Sequence, residues 1–271
     1  QRFDALIPAG FPVVLVDRIF ETKKYSSVCV SNFQPIYRSV CRLAGKGDQR
    51  IGIIGTGRIA SRFVVESKLV SGVSIQGVYN PHEESMRAFA DHWQINGYMD
   101  FASFYENVDV VYIATPHETH YSYIKDALNH GKHVICEKPL FFKVEEGEEI
   151  KKLAEEKGKI VCVTYGFSGF DLLSQMRSMV LNGDIGEVTM VDLRYAHGFA
   201  CDPTGDKQAE GQKWRVDPAK SGPSFVLGDL STHTFYMSEL ICPQLKLKQL
   251  LCDRQSFIKS RAPLEDNAYV L

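Results

Sequence analysis

Gly55-Thr56-Gly57-Arg58-Ile59-Ala60 follows directly on the apolar run Ile51-Gly52-Ile53-Ile54, a spacing of small residues suited to holding a pyrophosphate. A G-x-G-x-x-G/A turn between a strand and a helix lets the backbone approach phosphate oxygens, because glycine has no Cβ. The same turn aims the N–H groups and positive dipole end of the helix at them. Alone, such a turn is a weak signal. Its flanks strengthen it: the run before reads as a buried strand, and Ser61 to Val70 after it carries apolar residues at helical spacing. Further on, Cys136-Glu137-Lys138-Pro139 closes a second apolar run, Lys132 to Cys136, and puts a lysine at a strand end. Asp229 and His233 stand one helical turn apart and so present two titratable groups on one helix face. A lysine and a carboxylate–imidazole pair are groups suited to moving a proton and to steadying charge that develops on an oxygen.

These residues must be positioned by the elements around them. From residue 50 the pattern alternates strands at 50–54, 74–79, 109–114 and 132–136 with helices at about 58–71, 82–93 and 118–130. A charged helix, Val144 to Lys157, leads to a further strand, Ile160 to Tyr165. Short connections between such units predict a doubly wound parallel sheet of Rossmann type, with helices on both faces and ligands at the carboxyl ends of its strands. Thr115-Pro116-His117 and Glu137-Lys138-Pro139 both fall at such ends. From about Phe167 the grammar changes. A helix ends at Asn182-Gly183-Asp184, and Glu187 to Tyr195 reads as a strand. A polar loop runs from His197 to about Ser221, and a helix spans about Ser231 to Ile241. Strand-like runs at 246–252 and 268–271 follow. This predicts an α+β domain with an open, mainly antiparallel sheet. The resulting division is 1–49, 50–166 and 167–271.

Composition narrows the classes. The chain has 271 residues, enough for two domains without staples. Its formal net charge of -2 gives no general attraction for nucleic acid or an anionic membrane. Seven cysteines without a C-x-x-C pair argue against a disulfide framework or a zinc ribbon, and Cys136 and Cys162 read as small core residues. No metal site is expected. No apolar stretch reaches the roughly 18 residues of a membrane helix, and no signal-peptide layout is seen, so a cytoplasmic protein is expected.

The motifs together resemble the glucose-fructose oxidoreductase and inositol dehydrogenase (Gfo/Idh/MocA) type of oxidoreductase. The resemblance rests on Ile53-Ile54-Gly55-Thr56-Gly57, Val111 to Pro116 with His120, Gly131 to Leu140, Gly183 to Val188 and Gly228-Asp229-Leu230-Ser231-Thr232-His233, in the family's order over about 50–271. It implies a nicotinamide-dependent enzyme, using NAD or NADP, that transfers a hydride to or from a secondary alcohol of a sugar or polyol. It also implies roles. His233 would accept the proton, Lys138 would orient the substrate hydroxyl, and Asp229 would hold one of them. The cofactor would lie against Gly55, Thr56, Gly57, Arg58, Ile59, Asn80, Thr115, Pro116, His120, Glu137 and Lys138. Tyr165, Trp214 and Arg215, with His197 and Asp217 nearby, would wall a polyhydroxylated ring. For His117 and His120, at a helix start, imidazole capping is a sufficient explanation.

After the second strand, a dinucleotide fold supplies Asp or Glu for ribose hydroxyls or Arg for a 2′-phosphate. Here the chain reads Tyr79-Asn80-Pro81-His82, which encodes neither, so NAD versus NADP stays open. Two departures from the family stand out. Its second domain continues beyond the point corresponding to Leu271, so the open sheet is expected to lack strands, and its exposed face would support a homo-oligomer. Residues 1–49 instead resemble, more weakly, part of the effector-binding domain of lactose-repressor-type regulators. The alternative functions are a non-catalytic sugar or dinucleotide sensor and an inactive truncated or chimeric family member.

Overall fold

Strands buried on both faces have no polar side, and the near-continuous apolar runs of this chain build a parallel sheet for that reason. The computed structural model describes residues 14–16, 26–28, 49–198, 214–257 and 264–271. β1 (Val14–Val16) and β2 (Ser26–Val28) pair parallel as a sheet of their own. The main sheet is six-stranded: β3 (Gln49–Ile54), β4 (Val73–Tyr79), β5 (Asn96–Tyr98), β6 (Val110–Ile113), β7 (His133–Cys136) and β8 (Val161–Val163). Their order is β5-β4-β3-β6-β7-β8, every pair parallel. The winding direction therefore reverses between β3 and β6, the switch point outside which ligands of such sheets lie.

Alternating strand residues feed two cores. On one face Ile51, Ile53, Val78 and Ile135 pack under α1 (Arg58–Ser67) and α2 (Glu83–Trp93) through Phe63, Val64, Met86 and Phe89. On the other, Ile54, Val111, Ile113 and Val134 meet α3 (Phe101–Glu106), α4 (His120–Asn129) and α5 (Val144–Lys157) through Phe104, Ile124, Leu128 and Ile150. The expected elements form here with shifts at their ends. β5 and α3 were not expected, because Asn96-Gly97-Tyr98 has no strand pattern of its own and is extended by pairing on the edge of β4.

Beyond β8, α6 (Asp171–Asn182) stops at Gly183, whose φ of 77° suits a glycine cap. The strand expected at Glu187 to Tyr195 does not form: residues 187–198 carry no regular structure, and Met190 is 80% exposed. Alternating character makes a strand only where a neighbouring backbone completes the ladder, and among the described residues none pairs with this segment. Most of the predicted polar loop, 199–213, lies outside the described residues, as does most of 1–48. α7 (Pro218–Ser221) is capped by Asp217, whose Oδ1 accepts the Ala219 N–H at 3.0 Å. A wide π-type turn, Val226–Ser231, runs straight into α8 (Thr232–Ile241). The strand expected over 246–252 starts later, as β9 (Cys252–Gln255), and pairs antiparallel with β10 (Asn267–Val270). Leu245 to Leu250 have no ladder partner among the described residues.

Because β1 and β2 add nothing to the six-stranded sheet, deleting residues 1–47 is expected to leave dinucleotide affinity intact. A large fall in melting temperature or loss of soluble protein on that deletion would show instead that the two sequence blocks fold as one unit.

Candidate active site

At the switch point the sheet opens into one cleft of about 850 Å³. Gly55 forms its floor at φ 106°, with its N–H donating to Tyr79 O at 3.0 Å, and a Cβ there would stand 2.6 Å from Ala114 O. Gly55 is thus demanded by the protein itself. Gly57 is different: its φ is -76°, and a Cβ would meet nothing within 4 Å. Among the described residues no contact requires glycine at this position, and the side chain it lacks would point into the cleft in front of α1, whose start has no side-chain cap. A close backbone approach beside a helix N-terminus fits a pyrophosphate.

The cleft brings together most of the residues singled out in the sequence. Gly55, Thr56, Gly57, Arg58, Ile59, Asn80, Thr115, Pro116, Glu137, Lys138, Trp214, Arg215, Asp229 and His233 all line it. Two do not. His120 is fully buried behind the wall, with Nδ1 2.8 Å from Pro139 O and Nε2 3.1 Å from Thr115 O. It braces the two strand-end loops against each other instead of facing a cofactor. Tyr165 also stands back: its ring stacks on Tyr236 at 4.2 Å and meets His233 edge-on, so it buttresses the imidazole.

Lys138 Nζ donates to Asp229 Oδ1 at 2.5 Å and to Asp229 O at 2.7 Å, so Asp229 holds the lysine. Arg215 Nε lies 3.3 Å from the other carboxylate oxygen, with its guanidinium over the Trp214 ring. Burial alone would raise the Asp229 pKa, but Lys138, Arg215 and His117 hold it below the usual carboxylate range. Beneath them Tyr112 Oη donates to Glu137 Oε1 at 2.6 Å, and burial pushes the Glu137 carboxyl up.

His233 projects from the first turn of α8, among the rings of Tyr165, Phe167 and Tyr195. Burial, helped by the charge of Lys138, lowers its pKa to about 4. Its Nδ1 is buried without a hydrogen-bond partner among the described residues. A neutral imidazole with unspent hydrogen-bonding capacity beside a fixed ammonium can take a proton from an alcohol.

His117, read from sequence as a cap, belongs to the cleft. Its Nδ1 is 3.3 Å from Ser221 O and its Nε2 3.9 Å from Asp229 Oδ1, with the ring edge-on to Trp214 at 4.7 Å. Burial, and next the nearby His120, lowers its pKa to about 3. Its place directly after Pro116, at the carboxyl end of β6, was the signal that could have found it.

These two neutral imidazoles have a consequence for acid stability. In the unfolded chain they protonate near 6.5, and in the folded protein only near 3 and 4. Between about pH 4 and 6.5 the unfolded state binds more protons, so stability falls as pH falls through that window. Urea unfolding at stepped pH should show this loss, and His117→Asn with His233→Asn should flatten it.

Comparison with known proteins agrees with this fold. A model described as "Oxidoreductase family, NAD-binding Rossmann fold" matches residues 49–165, and one for the family's "C-terminal alpha/beta domain" matches 177–271, together well over half the chain. The chain belongs to the Gfo/Idh/MocA oxidoreductase family. Its nucleotide-binding part is an NAD-binding Rossmann fold. An inositol dehydrogenase homolog from Azotobacter vinelandii, solved with NAD+, is 37% identical with a TM-score of 0.75, covering 83% of this chain and 61% of that one. YfiI of Bacillus subtilis, an uncharacterized oxidoreductase, is 65% identical over 166 residues, which are 61% of this chain and 42% of that protein. The scyllo-inositol 2-dehydrogenase (NADP(+)) of the same organism is 32% identical over 115 residues, 41% of this chain and 35% of its own length. The chain thus spans less than two thirds of the length of these relatives. Among the described residues no helix is long and apolar enough to cross a membrane, and no group of His, Cys, Asp or Glu could hold a metal ion.

Proposed function

We propose that this chain is an NAD(P)-dependent oxidoreductase acting on a secondary hydroxyl of a sugar or polyol, with residues 50–166 holding the cofactor and 167–271 facing the substrate. The observation that carries this reading is the Lys138–Asp229 pair and the neutral His233 on the same cleft as the Gly55-Thr56-Gly57 turn. Residues 1–49 are an extension without a part in the chemistry.

When bound, the nicotinamide group supplies the hydride acceptor or donor. In this proposal the glycine turn and the start of α1 hold the pyrophosphate, with Thr115, Pro116 and Glu137 along the same wall. Two of the three N–H donors of Lys138 go to Asp229, which leaves one for the substrate oxygen. Its charge opposes loss of a proton to His233 in the resting site but stabilises negative charge building on that oxygen. His233 accepts the hydroxyl proton, and the Asp229 carboxylate favours the imidazolium that results. Trp214 and Arg215 offer an apolar face and donors to the remaining hydroxyls. Asp229 keeps the lysine aimed and does not itself transfer the proton.

A cytoplasmic setting is part of the proposal and fits the free thiols of Cys136, Cys162, Cys242 and Cys252. A homo-oligomer through the exposed apolar side chains of the C-terminal region, Leu247, Leu251 and Tyr269 among them, is a further part. The direct test is to mix the protein with NAD+ or NADP+ and a panel of inositols and aldoses, and to follow the absorbance of the reduced nicotinamide. Turnover with at least one polyol, lost in His233→Asn, is expected. Tight dinucleotide binding with no hydride transfer to any of them would favour a sensing role.

A further inference from the structure

Asp229 grips Lys138 twice, through its carboxylate and through its own backbone carbonyl, so the path of the main chain at Asp229 sets where the ammonium points. That main chain is the wide π-type turn Val226–Ser231. Such turns are rare and occur mostly singly, often at functional sites. What holds this one in shape is therefore part of how the site is built. The first N–H groups of any helical turn find no acceptor within it. Here the preceding residue is Phe225, whose side chain has no acceptor to offer.

The acceptor comes from the β9–β10 hairpin. Glu265 Oε1 accepts the Leu227 N–H at 3.2 Å and the Ser224 hydroxyl as well. Oε2 lies 3.9 Å from Nη1 of Arg254 on β9, and the same Nη1 donates to Pro223 O at 3.4 Å. The hairpin is itself closed beside Glu265, where the Asp266 N–H donates to Gln255 O at 3.1 Å. Pro223, Ser224 and Leu227, just ahead of Asp229, are thus fastened to one rigid ladder. Glu265 is buried and does not line the cleft, so it touches no ligand there. A carboxylate is costly to bury unless its bonds compensate, and among the described residues both hydrogen bonds of this one run to the segment entering the turn.

We propose that Glu265 is a positioning residue for the Lys138–Asp229 pair: by clamping the entry of the Val226–Ser231 turn it fixes the Asp229 carbonyl and carboxylate that aim the lysine at the substrate oxygen. Released from the clamp, the turn is free to tighten to α-helical pitch, which commits the Asp229 carbonyl to the His233 N–H and loosens its hold on Lys138. The inference rests on reading Lys138 and Asp229 as the groups that handle the alcohol, and it extends the site to a residue outside the cleft.

Three substitutions test it. Glu265→Ala removes the acceptor, Glu265→Gln keeps a carbonyl oxygen in its place, and Glu265→Asp keeps the charge but withdraws both oxygens by one methylene. With the polyol and dinucleotide that the unmodified protein turns over fastest, Glu265→Ala should lower kcat roughly ten- to a hundred-fold, the scale for a positioned group displaced by about 1 Å, while Kd for NADH and NADPH stays within about two-fold. Glu265→Gln should restore most of the rate, and Glu265→Asp should not. Apart from activity, hydrogen exchange at the amides of 225–231 should quicken in the Ala and Asp variants and stay unchanged in α4. The decisive measurement is Glu265→Ala made in a Lys138→Ala background. With the lysine gone nothing is left to aim, so the second substitution should add little further loss, whereas a general loss of folded protein would cost the same factor in both backgrounds. An equal loss in both backgrounds, failure of Glu265→Gln to recover the rate, unchanged exchange at 225–231 or normal turnover in Glu265→Ala overturns the proposal while leaving Lys138 and Asp229 in their roles. If Glu265→Ala does not fold, Glu265→Asp is read by the same comparison. Absence of turnover by the unmodified protein with every polyol overturns both this proposal and the reading it rests on.

Discussion

Lys138→Ala is expected to lower turnover of a polyol by roughly two to four orders of magnitude, the range for removing a positioned charge-stabilising or proton-handling group. Dinucleotide affinity should change far less, because the lysine lies at the Asp229 end of the cleft, bound at 2.5 Å, and not at the glycine turn. Removing it also leaves the Asp229 carboxylate, 11% exposed, with Arg215 as its remaining strong cation, so the Asp229 pKa should rise. Lys138→Arg is the informative companion: the charge is kept, but the planar guanidinium cannot repeat both bonds to Asp229 from the same position. Recovery of only a small part of the rate would show that placement of the donor matters as well as its charge. Normal turnover in Lys138→Ala would remove the lysine from the mechanism.

Gly57→Val is expected to weaken dinucleotide binding by more than about a hundred-fold while the protein stays folded, since a methyl-sized misfit against a pyrophosphate displaces several backbone hydrogen bonds at once. The fold survives because Gly57 sits at φ -76°, within reach of any L residue, and its Cβ would touch nothing. Gly55→Val provides the contrast. Gly55 lies at φ 106° and its Cβ would come within 2.6 Å of Ala114 O, so that variant should cost about 2 kcal/mol or more of stability before any ligand is added. Circular dichroism and thermal melts beside a binding titration separate the two. If Gly57→Val bound NADH or NADPH as tightly as the unmodified chain, the assignment of the turn to a pyrophosphate would fail.

Much of this was legible in the residues themselves. A glycine turn between an apolar run and a helix, repeated strand and helix patterns, and a lysine at a strand end are local signals. The parallel sheet follows from them because buried strands and short crossovers leave few other arrangements. Lys138 and the Asp229–His233 pair could be named for the same reason: spacing of one helical turn and position at a strand end are properties of short segments.

Contacts between distant segments were decided by the tertiary structure. The family resemblance put His120 among the cofactor residues, but its ring turns inward to two backbone carbonyls, one of them Pro139 O from another loop. His117 looked like a cap, and it reaches the cleft because Ser221, Trp214 and Asp229 converge on it from the other half of the chain. Glu187 to Tyr195 had the alternation of a strand, yet a strand needs a partner backbone, which alternation cannot supply. The sequence by itself determined which groups were available and on which local elements they ride. The structure alone decided which of them meet, because burial and pairing energies depend on neighbours far away in the chain, and those set the neutral state of His233 and the clamp of Asp229 on Lys138.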